Sequence, residues 1–289
     1  MTVTDVNVVK SAIFERPDDA NKGTLGSLLC VCGSYGMAGA AVMSAKGALR
    51  TGIGLAKCAL PRSIYPIVAQ TILESVYYPL SENADGRISK VNVPFLVSES
   101  CKSSATLVGC GLGVCDDTLK IVFSLIENST TPLVLDADAL NCVAKQPEIL
   151  LRKKAPIIIT PHPGEMSRLT GLATPLVNAE RERVALNFAQ KYGVVTVLKG
   201  AGTVIASPNG KVLVNPTGNS GMATGGSGDV LAGIIGSLLS QSANPLNAAA
   251  AGVFLHGTVG DLAAEKLGKI SMLPTDMIEL LPIAYQKLL

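Results

Sequence analysis

The chain has 289 residues, 48% of them hydrophobic, enough for a full-sized core that buries about three quarters of the unfolded surface. Its 24 basic and 22 acidic residues are scattered and nearly cancel, so no electrostatic footprint for nucleic acid is present. Polar residues or glycine interrupt every apolar stretch well short of the ~20 residues that a membrane span needs.

In chain order, Met1 to Asn21 carries Lys10, Glu15, Arg16, Asp18 and Asp19 without a long apolar core, unlike a secretory signal. Leu28 to Cys32 reads as a buried strand, followed by a turn at Gly33-Ser34-Tyr35-Gly36 and a helix from Gly39 to Arg50. Further strands are expected at Ile53 to Leu60, Ala105 to Val108, Pro132 to Leu135, Ile157 to Thr160 and Val194 to Leu198. Each is almost continuously apolar, as central parallel strands are. Helices should fill the gaps, notably Asp117 to Glu127 and Leu176 to Tyr192. Pro208-Asn209-Gly210 between Thr203–Ser207 and Lys211–Asn215 is a hairpin signal. Helices over Val230 to Leu239, Leu246 to Lys266 and Pro274 to Leu288 complete the chain. No linker rich in Pro, Ser or charge divides it, so 1–289 reads as one α/β domain with a sheet covered by helices.

Seven cysteines, Cys30, Cys32, Cys58, Cys101, Cys110, Cys115 and Cys142, form an odd set lying mostly in apolar segments. They read as buried free thiols in a reducing compartment, hence cytoplasmic. The single spacer in Cys30-Val31-Cys32 suits neither a redox motif nor a zinc site.

The most informative stretch runs from Asn215 to Leu231. Five glycines lie between Gly218 and Gly228, and the chain then enters an apolar helix. Backbone N–H groups converging at a helix N-terminus favour an anion. Asp229, at the mouth of that site, suits a base that takes a hydroxyl proton while the amides hold phosphoryl charge. The alternative is that Asp229 caps the helix and the glycines serve a tight turn. A Walker-type GxxxxGK[ST] is missing, and Gly109-Cys110-Gly111-Leu112-Gly113 lacks the GxGxxG spacing. His162 follows a strand end and either binds a substrate or caps the next helix; His256 reads as a packed or exposed helical residue. Lys199 ends a strand, where it either reaches a phosphate or stands at the surface. Asp136 and Asp138 either orient the site, or a metal through water, or cap a helix.

Gly226-Ser227-Gly228-Asp229 resembles the anion hole and catalytic base of ribokinase-like enzymes, and the frame from Asn215 to Leu231 resembles that of NAD(P)H-hydrate dehydratases. Gly36-Met37-Ala38-Gly39-Ala40-Ala41, Gly109 to Gly113, Val134 to Asn141, Thr160 to Glu165 and Lys199 to Thr203 match the same family in order, over about residues 22 to 260. The resemblance implies a three-layer ribokinase-like fold with a mostly parallel sheet between helices. It also implies ATP- or ADP-dependent phosphorylation of the hydroxyl of hydrated NADH or NADPH, with loss of phosphate restoring the nicotinamide ring.

In that scheme Asp229 is the base, and the amides of Gly226, Ser227 and Gly228 are the hole. Ala40, Gly113, His162 and Asp229 hold the hydrate. Lys199, Gly200, Ala201, Gly202, Thr203 and Gly228 line the adenine nucleotide, Mg²⁺ accompanies its phosphates without assigned protein ligands, and the protein is a homotetramer. Two departures from the family pattern are Asn21, where a histidine is frequent, and Cys110, where a proline is usual. An epimerase domain, fused to some members, finds no place in 289 residues. Two other readings are a hydroxyethylthiazole or hydroxymethylpyrimidine kinase of the same superfamily and a nucleotide binder without catalysis; the latter gives Asp229 no purpose.

Overall fold

The computed structural model describes residues 2–13, 16–241 and 243–289; Met1, Phe14, Glu15 and Ser242 lie outside the described residues. Strands β1 (Thr2–Val3), β2 (Ser27–Val31), β3 (Leu55–Pro61), β4 (Val76–Leu80) and β5 (Ala105–Val108) come first. They are followed by β6 (Leu133–Leu135), β7 (Ile157–Ile159), β8 (Val195–Leu198), β9 (Val204–Ala206) and β10 (Val212–Val214). Among the helices are α1 (Val6–Ala12), α2 (Ala38–Arg50), α3 (Tyr65–Thr71), α4 (Val93–Lys102), α5 (Asp116–Asn128) and α6 (Asp138–Val143). The C-terminal half adds α7 (Pro163–Thr170), α8 (Thr174–Ala179), α9 (Arg181–Tyr192), α10 (Ser227–Ser240), α11 (Pro245–Leu267) and α12 (Pro274–Leu288).

The strands form one sheet in the order β1-β10-β9-β8-β7-β6-β5-β2-β3-β4, parallel from β8 to β4, with β9 antiparallel to both neighbours. Strand residues serve the two faces alternately, as the period of two requires. Leu28 and Cys30 enter a core shared with α1, α2, α10, α11 and α12, whereas Leu29 and Val31 enter a second core under α4 to α9. This is the expected three-layer α/β architecture.

From β2 the chain winds outward through β3 and β4, then returns to β5 and winds the other way through β6, β7 and β8. The switch point therefore lies between β2 and β5, where open α/β sheets place ligands beyond the carboxyl ends of the strands. Helix α10 packs closely on α2. A side chain at Gly233 would run into the carbonyl of Ser44, and one at Gly47 would lie 2.9 Å from the carbonyl of Val230.

Several sequence expectations are corrected. The helix expected over Leu176 to Tyr192 is two helices, because Glu180 leaves the helical region at φ −126 and ψ 40. The strand expected from Ile53 begins at Leu55, after a turn in which the Gly54 amide donates to the Leu25 carbonyl at 3.2 Å. β4, β1 and α1 carry no expectation from the sequence. Cys101 and Cys115 are half-buried rather than buried, and all seven cysteines are free thiols. The hairpin holds: β9 and β10 pair antiparallel around Gly210, at φ 91.

Candidate active site

The glycine-rich stretch is held in place from α11. Thr217 Oγ1 donates to the Phe254 carbonyl at 3.1 Å, Asp261 Oδ2 accepts from the Gly218 amide at 2.9 Å, and Asn219 Nδ2 donates to the Gly260 carbonyl at 2.9 Å. The chain then turns through Gly226, at φ 95, into α10. A side chain there would need the left-handed conformation and would displace the flexible end of Met43, so it is the conformation that calls for glycine. The Ser227 amide donates to the Thr224 carbonyl at 3.4 Å. Gly228 and Asp229, as the next two residues of the helix, keep amides without an intrahelical acceptor. Ser227 Oγ lies 3.3 Å from His256 Nε2. Burial pushes the pKa of His256 down to about 4, so it is a neutral partner.

The Asp229 carboxylate faces the ends of β5 and β6. Cys110, Asp136 and Asp229 each bring one ligand-type atom within 4.8 Å of the others. Burial, reinforced by the charge of Asp136, pushes the Asp229 carboxyl up to about 7; a hydrogen bond from Cys110 and the charge of Lys199 partly offset this. A carboxyl so tuned titrates near neutrality, where a general base works best. Asp136 is buried and divides its oxygens. Oδ1 accepts from Lys199 Nζ at 2.7 Å and Thr160 Oγ1 at 2.7 Å, and Oδ2 accepts from Cys110 Sγ at 3.7 Å.

Ala137 follows in a strained left-handed conformation at φ 48 and ψ −115. Among the described residues no other non-glycine has positive φ. Such strain, of order 1–3 kcal/mol, persists where the surroundings over-determine the backbone. Here Asp136 and Asp138 are both fixed: the Asp136 amide donates to the Val108 carbonyl at 3.1 Å, and Asp138 Oδ2 accepts from the Gly113 amide at 2.8 Å.

Lys199 directs its ammonium inward. Burial disfavours its charge, yet Asp136, and Glu165 with Oε2 at 3.9 Å, hold its pKa above the usual value. Its Nζ also stands near α10, 3.4 Å from where a Gly228 Cβ would lie. The following turn, Gly200 to Gly202, is exposed, and Thr203 Oγ1 donates to the Gly200 carbonyl at 2.9 Å.

His162 is exposed, and its Nδ1 accepts from the Gly164 amide at 3.0 Å; it caps α7, leaving Nε2 as the protonated nitrogen, 3.4 Å from Glu165 Oε1. Burial and the charge of Lys199 lower its pKa, whereas burial raises that of Glu165.

Across the switch point, the Gly33 amide donates to the Cys110 carbonyl at 2.8 Å and Ser34 Oγ to the Gly111 carbonyl at 2.8 Å. A Cβ at Gly111 would lie 2.7 Å from Ala40 Cβ. Gly113, Asp136, Asp138, His162 and Lys199 to Thr203 thus follow the carboxyl ends of strands, Ala40 lies in the first turn of α2 against Gly111, and Gly226 to Asp229 open α10. Sequence reasoning missed the part played by His256, whose polar ring on an otherwise buried helix face was the only signal, and it did not join Cys110 to the two aspartates.

The sequence pattern of the family described as NAD(P)H-hydrate dehydratase matches residues 28–283. Over 279 residues the chain is 39% identical to the bifunctional NAD(P)H-hydrate repair enzyme Nnr of Moorella thermoacetica, covering 96% of this chain and 53% of that protein. It is 37% identical over 256 residues to the ADP-dependent (S)-NAD(P)H-hydrate dehydratase of Neisseria meningitidis serogroup B, covering 88% of this chain and 82% of that one. The chain spans about half the length of the bifunctional relatives. Among solved structures it superposes, with a TM-score of 0.85 and 30% identity, on the ADP/ATP-dependent NAD(P)H-hydrate dehydratase from Bacillus subtilis co-crystallised with ATP/Mg²⁺. That match covers 100% of this chain and 99% of the other.

Proposed function

The chain belongs to the NAD(P)H-hydrate dehydratase family, and we propose that it dehydrates hydrated NADH and NADPH at the expense of ADP or ATP. The observation that carries this reading is the Asp229 carboxyl, pushed up to about 7 by burial and by Asp136, in the first turn of the helix that opens at Gly226. Asp229 takes the proton from the hydrate hydroxyl. The freed oxygen attacks the terminal phosphorus of the nucleotide, and the phosphoanhydride bond breaks towards the departing nucleotide. The hydrate then loses phosphate, a far better leaving group than water, and the nicotinamide double bond re-forms with loss of a ring proton.

Amides at the start of α10 supply fixed dipoles for the transferred phosphoryl group; of the expected set those of Gly226 and Gly228 do so, the Ser227 amide being turned to the Thr224 carbonyl. Gly200 to Thr203 with Lys199 and Gly228 receive the nucleotide; Ala40, Gly113 and His162 receive the hydrate. The neutral, Nε2-protonated His162 suits a donor to a substrate carbonyl.

Mg²⁺ fits the oxygen donors present. Asp136 Oδ2 has no charged partner, its neighbour being the Cys110 thiol, and Asp229 adds a second carboxylate nearby. The thiol itself is a poor ligand for so hard an ion. A bound Mg²⁺ would neutralise nucleotide phosphate charge, and Asp136 and Asp229 are the residues that would hold it. Family resemblance further supports a homotetramer, and the free, mostly buried thiols suit a reducing, cytoplasmic compartment.

The testing experiment incubates the protein with hydrated NADH, Mg²⁺ and either ADP or ATP and follows the return of nicotinamide absorbance. Recovery with either nucleotide supports the reading. No recovery, together with phosphorylation of a thiazole alcohol, would move the assignment to a vitamin-precursor kinase.

A further inference from the structure

Beyond the base and the anion hole, the carboxyl edge carries two residues without a role so far. Tyr35 is 74% exposed, in a chain with no Trp and only 4% aromatic residues. Arg87 lays its side chain across Gly113, where an added Cβ would lie 2.5 Å from Nε and 2.8 Å from Cδ.

One turn holds both. The Tyr35 amide donates to the Gly86 carbonyl at 2.9 Å, and Tyr35 packs on Gly86, which has no Cβ to obstruct it. Asn83 fixes the turn: its amide donates to the Arg87 carbonyl at 2.9 Å, its Oδ1 accepts from the Arg87 amide at 3.1 Å, and its Nδ2 donates to Asp117 Oδ2 at 3.2 Å. A ring and a guanidinium are therefore presented from a rigid support.

The Arg87 pair with Asp85, at 3.0 Å, is a weak competitor, because Asp85 is 67% exposed. The planar guanidinium has donors to spare for a phosphate. Tyr35 lies two residues beyond Gly33, whose amide is bonded to Cys110, and Gly113 lies three residues beyond Cys110. Since the Cys110 thiol stands beside Asp229, this platform starts within about 20 Å of the base. Arg87 borders Gly113, one of the residues that receive the hydrate, and the exposed Tyr35 leaves its outer side open to the rest of the dinucleotide.

Resting on the dehydratase reading, we infer that Tyr35 and Arg87 form the subsite for the non-reacting half of the dinucleotide, Arg87 on the diphosphate and Tyr35 stacked on the purine. Remote binding of this kind orients the reacting ring, so its loss lowers kcat/KM for the whole substrate and spares a substrate too short to reach it.

The test compares hydrated NADH with hydrated reduced nicotinamide mononucleotide, which lacks the adenylate half, in the wild type and in Tyr35→Ala and Arg87→Ala. The wild type is expected to prefer the dinucleotide by at least ~10-fold in kcat/KM, about 1.4 kcal/mol, and both variants to bring that ratio close to one. Tyr35→Phe, which keeps the ring, should keep the preference. Partial misfolding lowers both substrates alike and cannot mimic a collapsed ratio. A wild type without preference, or a preference surviving both alanine variants, overturns the inference alone. A wild type that dehydrates neither substrate overturns the dehydratase reading, and the subsite falls with it.

Discussion

Lys199 Nζ lies 2.7 Å from Asp136 Oδ1, so the ammonium neutralises Asp136 rather than the carboxylate of Asp229 beside it. Asp229 is left half-buried near a second carboxylate that is itself paired, which leaves its pKa poised near neutrality instead of depressed. Burial raises the base first and Asp136 second, while Lys199, engaged with Asp136, only partly offsets them.

The pH profile follows directly. A base must be ionised to act, so kcat/KM should rise with unit slope below about 7 and level off above it. Initial rates from pH 5 to 9 at constant ionic strength check this; a profile flat through neutrality would remove Asp229 from the base role.

Asp229→Asn should lower kcat at least ~10²-fold while nucleotide still binds. It should also stabilise the fold. Because the folded-state pKa is raised, protonation favours the native state: this contribution is fully present below the usual value of 3.8 and is lost as pH rises through about 7. At pH 8 the ionised carboxylate therefore costs stability, and Asn removes about 1–2 kcal/mol of that cost. Urea unfolding at pH 8, read beside nucleotide titration, tests both halves.

Lys199→Ala leaves Asp136 and Glu165 buried without their cation, and it removes the positive charge next to Gly228. Nucleotide affinity should fall about 10-fold or more, and the midpoint of the pH profile should move up, because Lys199 holds Asp229 down. Calorimetric titration with a non-hydrolysable ATP analogue and the pH profile read the two effects separately; unchanged affinity would return Lys199 to a structural role.

Acid stability should depend on His256. Its folded-state pKa is depressed from 6.5 to about 4, so the unfolded chain binds its proton first and stability is lost as pH falls through that window. His256→Gln keeps a polar partner for Ser227 and should spare about 2–3 kcal/mol of that loss. Thermal unfolding of both proteins at pH 7 and pH 4.5 measures the difference between them.

Much of this fold could be read from residues in sequence. Ile157 to Ile159 is an unbroken apolar run, and Val195 to Leu198 is broken only by the buried Thr196, because both faces of a central parallel strand are covered. β4 escaped notice because it is a half-exposed edge strand carrying Pro79, which breaks the strand pattern. The break at Glu180 has neither glycine nor proline to announce it. At the site, the glycine-rich run into α10 announced an anion hole. By contrast, the contact of His256 with Ser227 joins positions 29 residues apart on two helices, and that of Tyr35 with Gly86 joins two loops. Such contacts arise from tertiary packing, and no local period encodes them.

The central claim is that the hydrate hydroxyl is phosphorylated before it leaves. Hydrated NADH carrying ¹⁸O in that hydroxyl, turned over with ADP or ATP, tests this in the inorganic phosphate released. The mechanism predicts one ¹⁸O atom per phosphate, since the labelled oxygen departs bonded to phosphorus. Unlabelled phosphate, with the isotope recovered in water, would contradict it.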